Sequence, residues 1–280
     1  MQISPRYDGE PVVSLDGDAD DVMAPFLRQR RRLLDTLTAL PDDAWDAPSR
    51  CEGWRVREVV AHLADTDGFW ALSLTRGLAG EPTRFLTGFD PKATPAVLVD
   101  AVRDSATAEV RDRYVAASSG LVDVVEGLDA AGWSTLAEAP PGHVPARLVV
   151  HHALWDSWVH ERDILVPLGM VPDEQHDEVL ASLRYGAALG PSFVVTTEPG
   201  RTGALQLDVT GPDARVVVEA GATVRVHGGA APAGALVVQG PAVEVLEGIS
   251  QRGPLPPVPD DHAAAWMLTG LAEVFETAPA

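Results

Sequence analysis

The chain has 280 residues, and 41 Asp and Glu against 21 Lys and Arg leave a formal charge of −20 with histidine neutral. A polyanion of this kind is a poor partner for nucleic acid or for an anionic membrane surface. Because 46% of the residues are apolar, the chain can bury a core, which excludes a disordered or fibrous protein.

The cellular compartment is predicted from three further features of the sequence. Cys51 is the single cysteine, so no intramolecular disulfide can form and secretion gains no support. The acidic N-terminus lacks the basic start and apolar run of a signal peptide. No segment approaches the roughly 18 uninterrupted apolar residues of a membrane helix. We therefore predict a cytoplasmic protein that does not bind membranes.

The first two thirds of the chain show the period of amphipathic helices. Residues 1–19 are polar and interrupted by proline, and we predict a flexible arm there. The next helix has one apolar stripe, and its predicted outer face carries Arg28, Arg30, Arg31 and Arg32. We predict a four-helix bundle in a domain of residues 20–190, with a further helix near 173–189. The four bundle helices are expected at about 20–40, 55–78, 96–128 and 145–166.

The sequence changes in character after about residue 190. Short β-rich runs separated by glycine-rich turns predict a small antiparallel sheet. We therefore predict an α bundle followed by an α+β domain of residues 191–280. The β-rich runs cover 193–195, 205–209, 216–218, 224–226 and 236–238, and two helices are expected at about 241–250 and 261–277.

Histidine and carboxylate side chains are the best candidates for chemistry. The chain has no phosphate-binding glycine loop, no Gly-x-Ser-x-Gly elbow and no cysteine pair. Glu58 precedes His62 by four residues, and Asp156 precedes His160 by four, so each pair shares one helix face, as two ligands of one metal require. Eight histidines and 41 acidic residues in 280 positions predict about one such pair by chance.

The residues alone leave alternatives open at both pairs. His62 lies at the margin of an apolar face, and the pattern alone favours a core-edge histidine that bonds a neighbour over a metal ligand. Asp156 shares a face with apolar residues, and an ionised carboxylate is expensive to bury without a partner. Either a metal ion or an arginine salt bridge would satisfy it.

Three segments resemble a known family. Residues 45–63 contain a tryptophan, a Cys-x-Gly-Trp turn at 51–54 and a helix with Val-x-x-His-Leu. This run closely resembles the N-terminal motif of the mycothiol-dependent maleylpyruvate isomerase family, within the DinB-like metalloenzyme superfamily. Residues 156–163, with a carboxylate four residues before a histidine, look like that family's second metal motif. Residues 238–253 resemble the end of the family's sterol-carrier-like C-terminal domain.

The resemblance implies a divalent metal, usually zinc, held by His62, Asp156 and His160 with a fourth position open. The family more often has Glu where this chain has Asp156, and the shorter side chain still ligates but changes the reach of the site. Glu58 then becomes an alternative ligand or a group that supports the ligands. Arg252 matches the family's C-terminal arginine and is the candidate catalytic group, the alternative being a solvated arginine on a loop.

An open zinc site next to a pocket suits activation of a small thiol, which loses its proton when it binds the metal. The resemblance thus implies a mycothiol-dependent isomerase or S-transferase whose partners are the thiol and a small electrophile. In the isomerase the thiolate adds to the double bond of a cis-enone diacid, the resulting single bond rotates, and elimination returns the trans isomer. In the transferase the adduct is released.

Two other classes of function stay open. One is a noncatalytic small-ligand-binding protein with a structural metal, and the other is a thiol-independent metal hydrolase with Glu58 or His152 as general base.

Cys51 precedes a helix start, where the family has a packing residue, and we expect a structural role rather than a catalytic thiol. His151 and His152 precede Asp156 by about one turn, and we expect structural roles for them too.

Overall fold

The computed structural model describes residues 3–91, 93–259 and 261–275. A helical region comes first and a domain with a mixed sheet follows, which confirms the predicted order of the two regions. The first helix starts at the acidic pair Asp20 and Asp21 and stops before Pro41, as predicted. The helices of this region are α1 (Asp20–Ala39), α2 (Val56–Leu78), α3 (Ala93–Asp100), α4 (Thr107–Glu126), α5 (Ala146–Leu165) and α6 (His176–Thr197).

The single long helix predicted for 96–128 is wrong, because the chain forms two helices there. Residues 101–106 leave the helical path, and Ala106 is extended. The carboxylate of Glu109 accepts a hydrogen bond from the backbone N–H of Ala106 at 3.3 Å. This contact caps the first turn of α4 and allows a second helix to begin.

α5 is the central helix of the molecule. Every one of its residues is buried except Arg147 and Asp156. It packs against α1, α2 and α6, while α4 covers α1 and α2. A helix surrounded in this way needs apolar or paired groups on all faces, so its polar side chains are brought into contact with neighbouring elements.

The prediction of an antiparallel sheet is wrong, because the sheet is mixed and contains parallel as well as antiparallel pairs. Its order is β1-β6-β5-β4-β7, and the pairs β1–β6 and β4–β7 are parallel. Alternation of side chains does not distinguish the two directions. The strands are β1 (Val13–Leu15), β4 (Gly203–Thr210), β5 (Ala214–Ala220), β6 (Val224–His227) and β7 (Leu236–Pro241), and a separate hairpin pairs β2 (Leu136–Ala139) with β3 (Gly142–Pro145).

Part of the predicted N-terminal arm belongs to this sheet. β1 forms one edge of it, and Val13 and Leu15 are buried while Ser14 is exposed. The buried–exposed–buried alternation is that of a half-buried strand. Three residues are too short a run to be recognised in the sequence, which is why we expected an arm there.

α6 joins the two regions and crosses the predicted domain boundary at residue 190. The strand expected at 193–195 is wrong, because these residues continue α6 and are buried. A short apolar run does not distinguish a strand from a buried helix. By length and composition α6 could span a membrane, but 83% of its apolar window is buried inside the fold, as in the core helix of a soluble protein.

Two helices complete the C-terminal region. α7 (Ala242–Ile249) and α8 (Trp266–Phe275) both pack against α6 and β4. They confirm that a helix forms in each of the stretches expected at 241–250 and 261–277, but α8 begins five residues later than expected, because residues 261–265 form turns. Residues 276 and 277 lie outside the described residues. After α7 the chain reverses at Gln251, which has a left-handed backbone with φ of 60°. This reversal directs Arg252 back toward the helical region.

Candidate functional site

α2 and α5 bring His62, Asp156 and His160 together. One ligand atom of each lies within 4.8 Å of the others. Asp156 Oδ1 is 3.6 Å from His160 Nε2 and 4.0 Å from His62 Nε2. The spacing of four residues places Asp156 and His160 on one face of α5, and side-by-side packing of α2 and α5 adds His62. The structure thus assembles the three residues proposed as metal ligands.

Asp156 is a nearly buried carboxylate, with 13% of its side chain exposed. Among the described residues its ion pairs are with the two imidazoles, and Thr66 Oγ1 donates to Asp156 Oδ2 at 3.4 Å. Burial by itself raises the pKa of Asp156, but His62 and His160 outweigh it and hold that pKa well below its usual range. The arginine salt bridge left open by the sequence is not formed at this carboxylate in the described part of the chain.

The spacing of these atoms fits a small tetrahedral cation. Zinc bonds of about 2.0–2.2 Å at tetrahedral angles separate ligand atoms by about 3.4 Å. The two nitrogen–oxygen distances, 3.6 and 4.0 Å, are close to this value. Two imidazoles and one carboxylate also form the donor set of many catalytic zinc sites with one position left for water or substrate.

Asp163 supports the other side of the His160 ring, and sequence reasoning missed it. Its Oδ2 lies 2.9 Å from His160 Nδ1, and its side chain is fully buried. The signal in the sequence is the position of this carboxylate, three residues and so about one helical turn after His160. Without the fold, however, Asp163 could not be distinguished from a solvated residue.

Arg252 reaches this cluster from the C-terminal region. Its Nε lies 2.9 and 3.0 Å from the two carboxylate oxygens of Asp163. Its side chain is 25% exposed, so it is not a solvated loop arginine. Arg50, from the segment before α2, donates to the same carboxylate at 3.0 Å.

Cys51 also contacts Asp163. Its Sγ lies 3.2 Å from Asp163 Oδ2 and 3.8 Å from His160 Nδ1. Burial, reinforced by the charge of Asp163, raises the pKa of Cys51 to about 12. A thiol that stays protonated at neutral pH is a poor nucleophile, which favours the structural role over the catalytic one.

Glu58 and the histidine pair before Asp156 have other partners. Glu58 caps α2, since its Oε2 accepts the backbone N–H of Arg55 at 2.8 Å and its Oε1 lies 2.5 Å from the Arg55 guanidinium. His151 Nδ1 lies 2.9 Å from the backbone oxygen of Arg147, and His152 Nδ1 lies 2.9 Å from Tyr185 Oη. Burial lowers the pKa of His151 to about 3 and of His152 to about 4. Both rings are therefore neutral at pH 7.

Comparison with known proteins agrees with the family resemblance. A solved structure of the mycothiol-dependent maleylpyruvate isomerase and one of its histidine-to-alanine mutants each match with a TM-score of 0.61. Each is 17% identical to this chain, and the match covers 86% of this chain and 97% of the other. At this identity the match shows a shared fold: a helical region followed by a mixed-sheet domain.

Sequence comparison adds the family itself. None of the curated proteins compared with the chain matches it. The model of the family described as the mycothiol maleylpyruvate isomerase N-terminal domain matches residues 26–165, which is half of the chain and contains His62, Asp156 and His160. The chain therefore belongs to the mycothiol maleylpyruvate isomerase N-terminal domain family.

Proposed function

We propose that this protein is a zinc-dependent enzyme that uses mycothiol to isomerise or conjugate a small electrophile, in a reaction like that of maleylpyruvate isomerase. The observation that carries the proposal is the convergence of His62, Asp156 and His160 within 4.8 Å, inside the segment that matches the family. Family membership supports mycothiol as the thiol and isomerisation as the reaction class.

His62, Asp156 and His160 would hold the metal. When bound, zinc favours the thiolate form of a coordinated thiol at neutral pH. The short side chain of Asp156 suits this role because α2 and α5 place its Oδ1 within 4.0 Å of both imidazoles. A nucleophile borrowed from mycothiol also agrees with the protonated, buried state of Cys51.

Arg252 would bind the anionic part of the substrate or the polar scaffold of the thiol. Asp163 occupies its Nε. Among the described residues, the terminal nitrogens make only long contacts, 3.4 Å to the oxygen of Ser250 and 3.7 Å to Cys51 Sγ. They therefore retain donors for a carboxylate, which a guanidinium binds in a planar, two-point fashion. In a chain of formal charge −20, such local positive charge is what an anionic substrate needs.

The proposal extends to the architecture. The helical region, residues 20–190, would be a DinB-like four-helix bundle built from α1, α2, α4 and α5, which pack on one another. Residues 191–280 would form the sterol-carrier-like domain, supported by the mixed sheet with α7 and α8. A cytoplasmic location agrees with the burial of α6.

The proposal is tested by His160→Ala, with His176→Ala as the matched control because His176 is exposed at the start of α6. Wild type and control should contain one zinc per chain and turn over maleylpyruvate only when mycothiol is added. His160→Ala should bind zinc more than about 100-fold more weakly, since even groups behind the ligands contribute about 10–100-fold. Metal analysis and a mycothiol-dependent isomerase assay measure both quantities.

Other results would favour the alternatives. Full turnover by metal-free His160→Ala would contradict the proposal. Collapse of thermal stability on chelation, with no thiol-dependent turnover by wild type, would indicate a ligand-binding protein with a structural metal. Turnover that persists without any thiol would indicate a metal hydrolase.

Arg252→Gln should keep zinc and lose turnover, because it removes a charge and leaves the ligands in place.

A further inference from the structure

Asp163 is the point where three separate parts of the chain meet. It lies on α5, its side chain is fully buried, and both carboxylate oxygens accept hydrogen bonds. Oδ1 lies 3.0 Å from Arg50 Nε and 2.9 Å from Arg252 Nε. Oδ2 lies 2.9 Å from His160 Nδ1 and 3.2 Å from Cys51 Sγ.

We propose that Asp163 is a positioning residue that holds His160 in one tautomer and Arg252 at the site, so that it couples the two regions of the molecule. This inference rests on the proposed function. A carboxylate beside Nδ1 makes that nitrogen the protonated one. Nε2 then carries the lone pair, and Nε2 is the atom that faces Asp156 at 3.6 Å. The imidazole is thus oriented for a metal before the metal binds.

The cluster of Cys51, His160 and Asp163 is not a second metal site. Its atoms are close enough to hold an ion, and it shares His160 with the first cluster. However, Asp163 already pairs with the guanidinium groups of Arg50 and Arg252. Two cations on one carboxylate leave no negative charge to attract a third. The metal therefore belongs on the Nε2 side of His160, and Asp163 acts from behind the ring.

Asp163 also fixes the distance between α5 and its neighbours. The backbone N–H of Arg50 donates to the backbone oxygen of Asp163 at 3.0 Å, which ties the segment before α2 to α5. The two guanidinium groups, at 3.0 Å (Arg50) and 2.9 Å (Arg252) from Oδ1, anchor the carboxylate from one side. Oδ2 is thereby held beside His160 Nδ1.

Asp163→Asn tests the inference, with Glu247→Gln as control. The amide has the shape of the carboxylate, but one of its two ends donates, so it cannot accept from both the histidine and the arginines. We expect zinc, titrated against a chelator, to bind Asp163→Asn about 10- to 100-fold more weakly than wild type. Glu247 accepts from Arg50 at 2.9 Å and Arg162 at 2.7 Å in the same network. Its variant should bind zinc like wild type.

A second measurement uses the wild-type protein and so does not depend on folding of a variant. In the zinc-loaded, ¹⁵N-histidine-labelled protein, we expect His160 to carry its proton on Nδ1. A proton on Nε2 would overturn the inference. Unchanged zinc affinity in Asp163→Asn, or an equal loss in Glu247→Gln, would overturn it too. If wild type binds no zinc, the proposed function itself fails, which is a distinct result.

Discussion

A buried ion pair joins α1 to α2 next to the candidate site. Arg30 Nη2 lies 2.7 Å from Asp67 Oδ1, and both side chains are almost completely buried. Arg30 also donates to the backbone oxygen of Ala153 on α5 at 3.0 Å. The prediction that Arg30 lies on the outer face of its helix is therefore wrong. The helical period gives the direction of each side chain, but it assigns Arg30 to the inner face only when the width of the buried face is known. The sequence does not give that width.

Asp67 supplies a pH-dependent prediction at this scale. Burial raises its pKa to about 6, although Arg30 opposes the rise. A carboxyl group whose pKa is higher in the folded than in the unfolded state destabilises the fold when it ionises. The free energy of unfolding therefore falls as pH rises, here from about 4 to about 6. The stability of Asp67→Asn should therefore increase relative to wild type by about 2–3 kcal/mol across that window. Urea denaturation at a series of pH values measures this, and a relative decrease would mean that Asp67 is ionised throughout.

At the scale of elements, close backbone contact defines the crossing of α6 and α8. A Cβ added at Gly270 would lie 2.8 Å from the carbonyl carbon of Gly190, and one added at Gly190 would lie 2.9 Å from the nitrogen of Leu271. Neither contact can be relieved by rotating a side chain. The two glycines thus allow α8 to lie against the helix that links the two regions.

Gly270→Ala should therefore destabilise the protein by about 1–3 kcal/mol, the usual cost of forcing extra volume into a packed interface. The matched control is Gly120→Ala on α4, where an added Cβ meets nothing within 4 Å. Alanine is the better helix former there, so the control should gain up to about 1 kcal/mol. Denaturant unfolding of the two variants compares them directly. Equal effects of the two substitutions would show that the crossing tolerates a methyl group.

At the scale of the whole molecule, strand β1 near the N-terminus forms part of the C-terminal sheet. Residues 13–15 pair with β6, more than two hundred residues later, and they also contact α6. Parallel pairing across such a separation cannot form until the C-terminal sheet exists. The N-terminal segment is therefore part of the C-terminal core rather than an independent arm.

Leu15→Ala should lower the free energy of unfolding by about 2–5 kcal/mol, the usual loss for a buried leucine. Leu15 is only 4% exposed, whereas its neighbour Ser14 points to solvent. Ser14→Ala is the matched control and should change stability by less than about 0.5 kcal/mol. Thermal or urea unfolding of both variants measures the difference. A negligible effect of Leu15→Ala would mean that β1 detaches without cost.

The sequence by itself determined most helices from their period, most strands from alternation and turn glycines, and the family from the motifs around His62 and His160. These features are local, since helix period and residue spacing depend only on nearby residues. Strand order and direction, the burial of Arg30, and the meeting of Asp163 with Arg252 were decided by the tertiary structure. Each depends on which distant segment lies alongside, and burial then forces every polar group to find a partner there.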